Sequence, residues 1–398
     1  MNAVRTALVI GGGIAGPVTA LALRKAGIEA TVYEAYASSA DGIGGTLQVA
    51  PNGLDSLRII GADKAVREVG LPMVRTVMAD GRGRRMAEFS GLTGLPPSRA
   101  MSRPELYRIL HDHAVEAGIR IEHGRRLVGV DDTSTGITAR FADGSTAHGD
   151  ILVGADGIRS TVRTLIDPGA PPPRHVPLLN IGATADIAAP GEPDATYFVF
   201  GRRAFLGYWL QPDGRTAWYS NLPHPHPMSV AQARAVPAAD WHAKLREVYA
   251  DDLPGADLVR HTRPDELVVL GTVEMLPTVR RWHRGRMVLV GDSVHAPSPS
   301  SGQGASLATE SAIQLARCLR DIADVPAAFT AYERLRRPRV EKVAAAAARV
   351  NSSKGLGPVA KAMMSLLMPV ATRTFLKPER TFGPVQRYRI DWDEKVTR

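Results

Sequence analysis

The apolar run Ala7-Leu8-Val9-Ile10 leads directly into Gly11-Gly12-Gly13-Ile14-Ala15-Gly16, and no other stretch constrains the fold as much. Val18, Leu21, Ala22 and Leu23 give the following segment one apolar helical face, Gly27 closes it, and Ala30-Thr31-Val32-Tyr33 starts a second strand. The segment predicts a strand–turn–helix–strand unit with parallel strands. In a G-x-G-x-x-G turn Gly11 permits the tight bend, Gly13 lets a pyrophosphate approach the backbone, and Gly16 lets helix and strand pack closely. The helix N-terminus adds unpaired N–H groups and a field that favours phosphate. Glu34 ends the second strand, where a carboxylate can accept from ribose hydroxyls and repels a 2′-phosphate. The unit therefore favours FAD or NAD over NADP at this site.

Two further glycine segments each follow an apolar strand: Gly154-Ala155-Asp156-Gly157 through Arg163, and Gly291-Asp292-Ser293-Val294-His295 continuing to Gly304. Taken alone, either is an ordinary turn. At 398 residues the chain predicts two closely packed domains, and 44% hydrophobic with 22% charged residues suits a soluble globular protein. The single cysteine, Cys318, excludes an intramolecular disulfide and fits a reducing cytoplasm. A net charge of +9 raises nucleic acid as a partner, but the arginines are dispersed, with no basic run and no aromatic interleaving. The excess instead suits anionic small molecules such as a nicotinamide cofactor.

Periodicity predicts helices over 52–60, 103–117, 240–250 and 305–322, and strands over 119–130, 136–141, 146–153, 267–273 and 287–290. Asp143-Gly144 reads as a hairpin turn. After the Pro-rich stretch 168–177, residues 178–220 alternate with many aromatics, which predicts an antiparallel or mixed sheet inserted into the first domain. From Val325 the chain reads as helical. The apolar stretch 356–376 is broken by Pro358, Lys361, Pro369, Arg373 and Lys377. A membrane span needs about 20 mostly uninterrupted apolar residues, so this stretch reads as an amphipathic helix on the body of the protein and the chain as lacking a transmembrane span.

Together the three segments resemble the FAD-dependent single-component aromatic hydroxylases (group A flavoprotein monooxygenases, with the para-hydroxybenzoate hydroxylase fold). Asp156, Gly157, Ser160 and Arg163 are similar to that family's Asp-Gly motif. Gly291-Asp292 followed by His295, Pro299, Gly302, Gln303 and Gly304 is similar to its Gly-Asp motif. Gly45-Thr46-Leu47 through Pro51-Asn52-Gly53-Leu54, Arg103 ahead of Leu106 and Leu110, and Tyr332, Arg336 and Arg339 add to the resemblance. It implies an α/β fold: a discontinuous Rossmann-like FAD-binding domain (1–75, 101–170, 276–340), an inserted mixed or antiparallel β-sheet substrate domain (76–100, 171–275) and a helical C-terminal segment (341–398).

By the same resemblance, FAD contacts fall at Gly11, Gly13, Ile14, Ala15, Gly16, Glu34, Arg103, Val130, Asp156, Gly291, Asp292, Pro299, Gly302, Gln303, Gly304 and Ala305. The implied reaction takes electrons from NAD(P)H, adds O₂ at the flavin C4a carbon as a hydroperoxide, and hydroxylates an aromatic or polyketide-like small molecule. No catalytic side chain is obligatory, because the oxygen chemistry belongs to the cofactor; within the flavin loop the candidates are His295, Pro299 and Gly302. Substrate candidates in the aromatic insert are Phe200, Tyr208 and Trp218. No metal is expected: Pro223-His224-Pro225-His226-Pro227 supplies two histidines without a third ligand nearby. Ser311 departs from the family, standing where an aspartate usually follows the glutamate. A flavin epoxidase, an antibiotic-inactivating hydroxylase of the tetracycline type, a double-bond reductase and a non-catalytic FAD protein stay open, as do monomer and homodimer.

Overall fold

The computed structural model describes residues 4–37, 45–354, 360, 363, 366–369, 371 and 377–397. A six-stranded sheet runs in the order His283–Arg284, Met287–Leu289, Ile151–Gly154, Thr6–Ile10, Glu29–Tyr33, Arg120–Glu122. All its pairings are parallel except the short edge strand His283–Arg284. Ala7 faces Ala30 on one side and Ile151 on the other. Ile151, Leu152, Val153, Met287, Val288 and Leu289 are wholly buried, as in a parallel sheet covered on both faces. Helices Ala15–Lys25 and Gly304–Asp321 pack on each other beside this sheet. A three-stranded antiparallel sheet (Leu127–Asp132, Ile137–Phe141, Thr146–Gly149) joins the same core, with Phe141 stacked on Tyr33 at 4.9 Å.

Two stretches that periodicity presents as single strands are each divided between the two sheets. Residues 119–130 contribute Arg120–Glu122 to the parallel sheet and Leu127–Asp132 to the small one. Residues 146–153 break at Gly149-Asp150. There the Asp150 carboxylate accepts from the backbone N–H of Arg5 (2.7 Å) and Thr6 (2.9 Å), and a Cβ at residue 149 would lie 3.0 Å from Leu8 Cγ. Tertiary contacts, not the local pattern, cut these strands.

The second large sheet has seven strands, in the order Val268–Met275, Arg174–Ala185, Thr216–Pro223, Phe205–Leu210, Ala195–Phe200, Arg75–Asp80, Arg85–Ser90. It is mixed, because Ala195–Phe200 runs parallel to Arg75–Asp80 while the other neighbours are antiparallel. Side chains alternate across it. Tyr197, Val199, Leu206, Tyr208, Trp218 and Leu222 face a core shared with helices Ala238–Tyr249 and Gly255–Arg260. Thr196, Phe198, Phe200, Phe205, Ala217 and Tyr219 face the opposite way, onto a cavity.

Helix Arg103–Glu116 opens with a capping box: Ser102 Oγ accepts from Glu105 N, and the Glu105 carboxylate accepts from Ser102 N. This fixes Arg103 in the first turn. Helix Val325–Lys354 is anchored to the parallel sheet where the Tyr332 hydroxyl donates to Leu289 O (3.1 Å). The predicted helix over 356–376 lies largely outside the described residues; of that stretch, Met368 packs on Met86, Phe200 and Phe205. Among the described residues no helix is long and apolar enough to cross a membrane.

A Cβ at Gly16 would lie 1.9 Å from Gly11 O. Gly16→Ala is therefore expected to destabilise the protein by about 1–3 kcal/mol, the usual cost of overpacking. Thermal unfolding of the FAD-free protein checks this.

Candidate functional site

Strands Thr6–Ile10, Ile151–Gly154 and Met287–Leu289 end side by side, and each runs into one of the glycine segments. The segments are bonded to one another. Ala155 N donates to Ile10 O (2.8 Å), Val290 N to Gly154 O (2.9 Å), Ser293 Oγ to Gly154 O (2.7 Å) and Arg163 Nη1 to Ser293 O (2.9 Å). Gly11 has φ +105°, and a Cβ there would lie 2.5 Å from Ala155 O, so the close approach admits only glycine. A cavity of about 2070 Å³ opens at these strand ends and continues to the aromatic face of the seven-stranded sheet. Ligands of open α/β sheets sit outside the carboxyl ends of the strands. Small-ligand pockets span roughly 300–1,000 Å³, so this cavity has room for a dinucleotide and a second molecule.

At its first end Glu34 accepts from Gly12 N (2.6 Å) and Tyr36 N (2.9 Å). Two backbone bonds hold the carboxylate in place and leave it lone pairs for hydroxyl donors. The Arg126 guanidinium lies 5.6 Å over the Tyr36 ring. Helix Ala15–Lys25 begins without a side-chain cap, and nothing lies within 4 Å of a Cβ placed at Gly13. Its amides are thus accessible to an anion. Arg103 and Asp292 both line this wall. Burial raises the Asp292 pKa, and Arg103 opposes that shift. Asp156 accepts from Ser160 Oγ and, at 3.0 Å, from Val162 N. It braces the turn into helix Thr161–Ile166, and its burial raises its pKa against those bonds.

At the middle of the cavity the loop Pro297–Gly304 forms one wall. Gly302 is left-handed (φ +59°), and a Cβ at Gly302 or Gly304 would meet nothing within 4 Å. The 18-residue helix Gly304–Asp321 starts here with no side-chain cap, so its positive end faces the cavity, suited to a ring that gains negative charge on reduction. Uncapped helix starts, bare glycine backbone, a cation and a ribose-accepting carboxylate along one channel fit FAD. Gly11, Gly13, Ile14, Ala15, Glu34, Arg103 and Asp156 would hold its adenosine and pyrophosphate; Asp292 and the loop from Pro299 to Ala305 would hold its ribityl and ring.

Several sequence expectations fall elsewhere. Val130 packs against the core of the parallel-sheet domain, and Leu127 takes the place on the cavity wall. Gly16 and Gly291 do not line the cavity; they are packing positions, and a Cβ at Gly291 would lie 3.0 Å from Ala15 Cβ and 3.3 Å from Ala308 Cβ. His295 lies behind the loop, 8% exposed, with Nε2 bonded to Ser311 Oγ at 2.7 Å. Phe200 lines the cavity, but Tyr208 belongs to the core on the other face, its hydroxyl donating to Pro190 O. Trp218 borders the cavity while its indole is buried in that core and donates to Thr262 Oγ1. Sequence reading missed Tyr36, Leu127, Phe198, Phe205 and Tyr219. The period-two alternation would have found Phe198 from Phe200, and Tyr219 as the opposite parity to Trp218.

Comparison with known proteins agrees with this geometry. A family model described as FAD binding domain matches residues 5–347. The chain is 29% identical over 360 residues to the aurachin C monooxygenase/isomerase of Stigmatella aurantiaca, covering 87% of this chain and 88% of that protein. It is 30% identical over 343 residues to the FAD-dependent urate hydroxylase of Klebsiella pneumoniae, covering 84% and 86%. The crystal structure of Klebsiella pneumoniae HpxO complexed with FAD and uric acid superposes with a TM-score of 0.83 at 27% identity, covering 96% of each chain.

Two outcomes follow. Gly13→Ala should leave the stability of the FAD-free protein within about 0.5 kcal/mol yet weaken FAD binding at least about tenfold; thermal unfolding and flavin-fluorescence titration separate the two. The second concerns His295. Burial, then the neighbouring Arg336, hold its pKa down at about 3, against 6.5 when unfolded. The unfolded chain therefore binds a proton that the folded one refuses. Stability is full above pH 6.5 and falls as the pH drops towards 3, by up to about 1.4 kcal/mol per pH unit. Urea unfolding at pH 7 and 5 should show this slope, and His295→Gln should lack it.

Proposed function

The chain belongs to the FAD binding domain family and is an FAD-dependent monooxygenase, and from that premise we propose that it uses NAD(P)H and O₂ to hydroxylate a flat, apolar, aromatic or polyketide-like small molecule. The observation that carries this reading is the continuity of the cavity. It runs without a partition from the dinucleotide cradle to a chamber walled by Met78, Phe89, Phe198, Phe200 and Phe205. Of the charged side chains on the cavity wall, Glu34 and Arg103 belong to the cradle, and Asp213 and Arg215 to the polar turn beside Gln211-Pro212. A buried apolar wall rewards an uncharged ring and penalises an unpaired ion. Uric acid, the ligand in the HpxO crystal structure, is a polar acid that such a chamber would not desolvate cheaply.

Bound in the cradle, FAD supplies the transfer of electrons from NAD(P)H and the activation of O₂. The residues here position and shield. The N–H groups at Gly13 and Ile14, with Arg103, would hold the pyrophosphate, and Glu34 would accept from the ribose hydroxyls. The small residues from Pro297 to Gly304 let a flat ring lie against backbone, and the uncapped start of helix Gly304–Asp321 favours negative charge at that ring's edge. The aromatic sheet face closes the opposite side and excludes water from the reacting carbon. No side chain in the chamber needs to act as nucleophile. Phe200 and Phe205 of the sheet, with Phe382 of the C-terminal segment, line the cavity where the substrate would lie. The chain's one cysteine, Cys318, is a buried thiol, which supports a reducing, cytoplasmic location.

The protein reconstituted with FAD should be yellow. Under anaerobic conditions NADPH should reduce it at least about tenfold faster, a barrier change of about 1.4 kcal/mol, with a phenol or polyketide that binds than without. In air the same ligand should gain one oxygen atom, read by mass spectrometry. Failure to acquire FAD-type absorbance after reconstitution would overturn the reading.

A further inference from the structure

Behind the flavin loop, one buried amide is held in an orientation that leaves its own carbonyl unmet. Asn52, in the first turn of helix Pro51–Ile59, is 1% exposed and does not line the cavity. Its helix is clamped to the start of helix Gly304–Asp321: Ala50 N donates to Ser306 Oγ (3.2 Å), and a Cβ at Gly53 would lie 2.5 Å from that oxygen. Asn52 Nδ2 donates to Glu310 Oε1 (2.7 Å) and to Gln303 Oε1 (3.0 Å), while Asn52 Oδ1 is buried without a hydrogen-bond partner. A buried carbonyl left unpaired is costly, and the neighbouring charge explains it. Against its burial, Arg336 and Arg339 keep Glu310 ionised, and an ionised carboxylate only accepts. Asn52 must therefore turn its NH₂ edge to Glu310.

The orientation passes on to Gln303. Because Asn52 offers it a donor, the Gln303 amide presents its carbonyl oxygen to Asn52, and its own NH₂ is the half left over. Gln303 is 7% exposed and lines the cavity, in the loop against which the ring of FAD would lie. It precedes helix Gly304–Asp321 without capping it. Its Nε2 has no hydrogen-bond partner among the described residues and, unlike Asn52 Oδ1, is not sealed off. An N–H edge in this place can donate to an acceptor atom of the ring, whereas a flipped amide would set a carbonyl lone pair against it. Such a donor gains most once the ring carries negative charge, that is, after reduction.

We propose that Asn52 is a positioning residue for the flavin: it turns the Gln303 amide so that the N–H edge faces the ring, and so favours reduced over oxidised FAD. Glu310 sets that orientation through Asn52 without itself lining the cavity. The proposal rests on the ring lying against Pro297–Gly304 and is independent of the substrate. Asn52 touches neither the cofactor nor the reacting atoms, and no proton moves along this relay.

The test measures the two-electron midpoint potential of FAD bound to the full chain, anaerobically, against reference dyes. Asn52→Leu and Gln303→Met should each lower it by about 30 mV, an approximately tenfold loss of preference for reduced FAD. The double variant should fall no further than either single one, because Asn52 acts through Gln303. Thermal unfolding of the FAD-free proteins is followed in parallel, since a purely structural Asn52 would lower the thermal midpoint and leave the potential unchanged. That result, or a double variant in which the two losses add, would overturn the proposal. Where Asn52→Leu does not fold, Asn52→Ser takes its place: one hydroxyl proton can serve Glu310 but not Gln303 as well, so the same drop is expected and an unchanged potential counts against the relay. Failure of the wild type to bind FAD would overturn the placement of the ring, and the relay with it.

Discussion

One buried carboxylate holds the working face of this molecule together. Glu310 is 0% exposed; it forms an ion pair with Arg336 Nη1 and accepts hydrogen bonds from Arg339 Nε and Nη2 and from Asn52 Nδ2, each at 2.7 Å. Its burial raises its pKa, but Arg336 and Arg339 outweigh that and hold it ionised. Asn52 Nδ2 also donates to Gln303 Oε1 (3.0 Å), in the loop that precedes the helix facing the ring site. Arg339 in turn donates to Val385 O (2.9 Å) and lies 3.9 Å over the Tyr388 ring. The loop, the long helix Val325–Lys354 and the C-terminal segment thus meet on a single anion. Breaking such a pair by removing one partner costs about 3–5 kcal/mol, because the other charge is left buried.

Ser311 belongs to the same cluster. Its hydroxyl accepts from Arg336 Nε (3.1 Å) and bonds His295 Nε2. A hydroxyl here, where the resemblance leads one to expect aspartate, leaves one carboxylate facing two guanidiniums. That excess of positive charge lies beside His295 and adds to burial in keeping its ring neutral. His295 is consequently a packing residue between Trp282, at 5.9 Å, and the helix behind the loop. A histidine three residues after an Asp invites an acid–base role, but its burial removes it from the cavity.

Much of the dinucleotide half was legible because its constraints are local. A strand, a turn that needs glycine and a helix with one apolar face occupy consecutive residues, so the geometry of Gly11 to Glu34 follows from order alone. The capping box at Ser102 and Glu105 marks the helix start at Arg103 in the same way. The substrate half was less legible. Aromatic residues between 197 and 219 fall on both faces of one sheet, and composition does not say which face is wet. Phe200 and Tyr208 look equivalent in the sequence, yet one lines the chamber and the other anchors a helix-covered core.

What the sequence by itself determined was the kind of cofactor and the topology of its cradle, since glycine positions, strand ends and helix starts depend on neighbouring residues. What the tertiary structure alone decided was convergence. Residues 11, 155 and 293 are brought together only when three parallel strands align in register and their ends exchange hydrogen bonds. The same holds for Tyr219, whose ring lies in the space left by Gly207 on the neighbouring strand. Long-range pairings of this kind carry no local signature, because the residues that meet are free to be almost anything until the sheets pack.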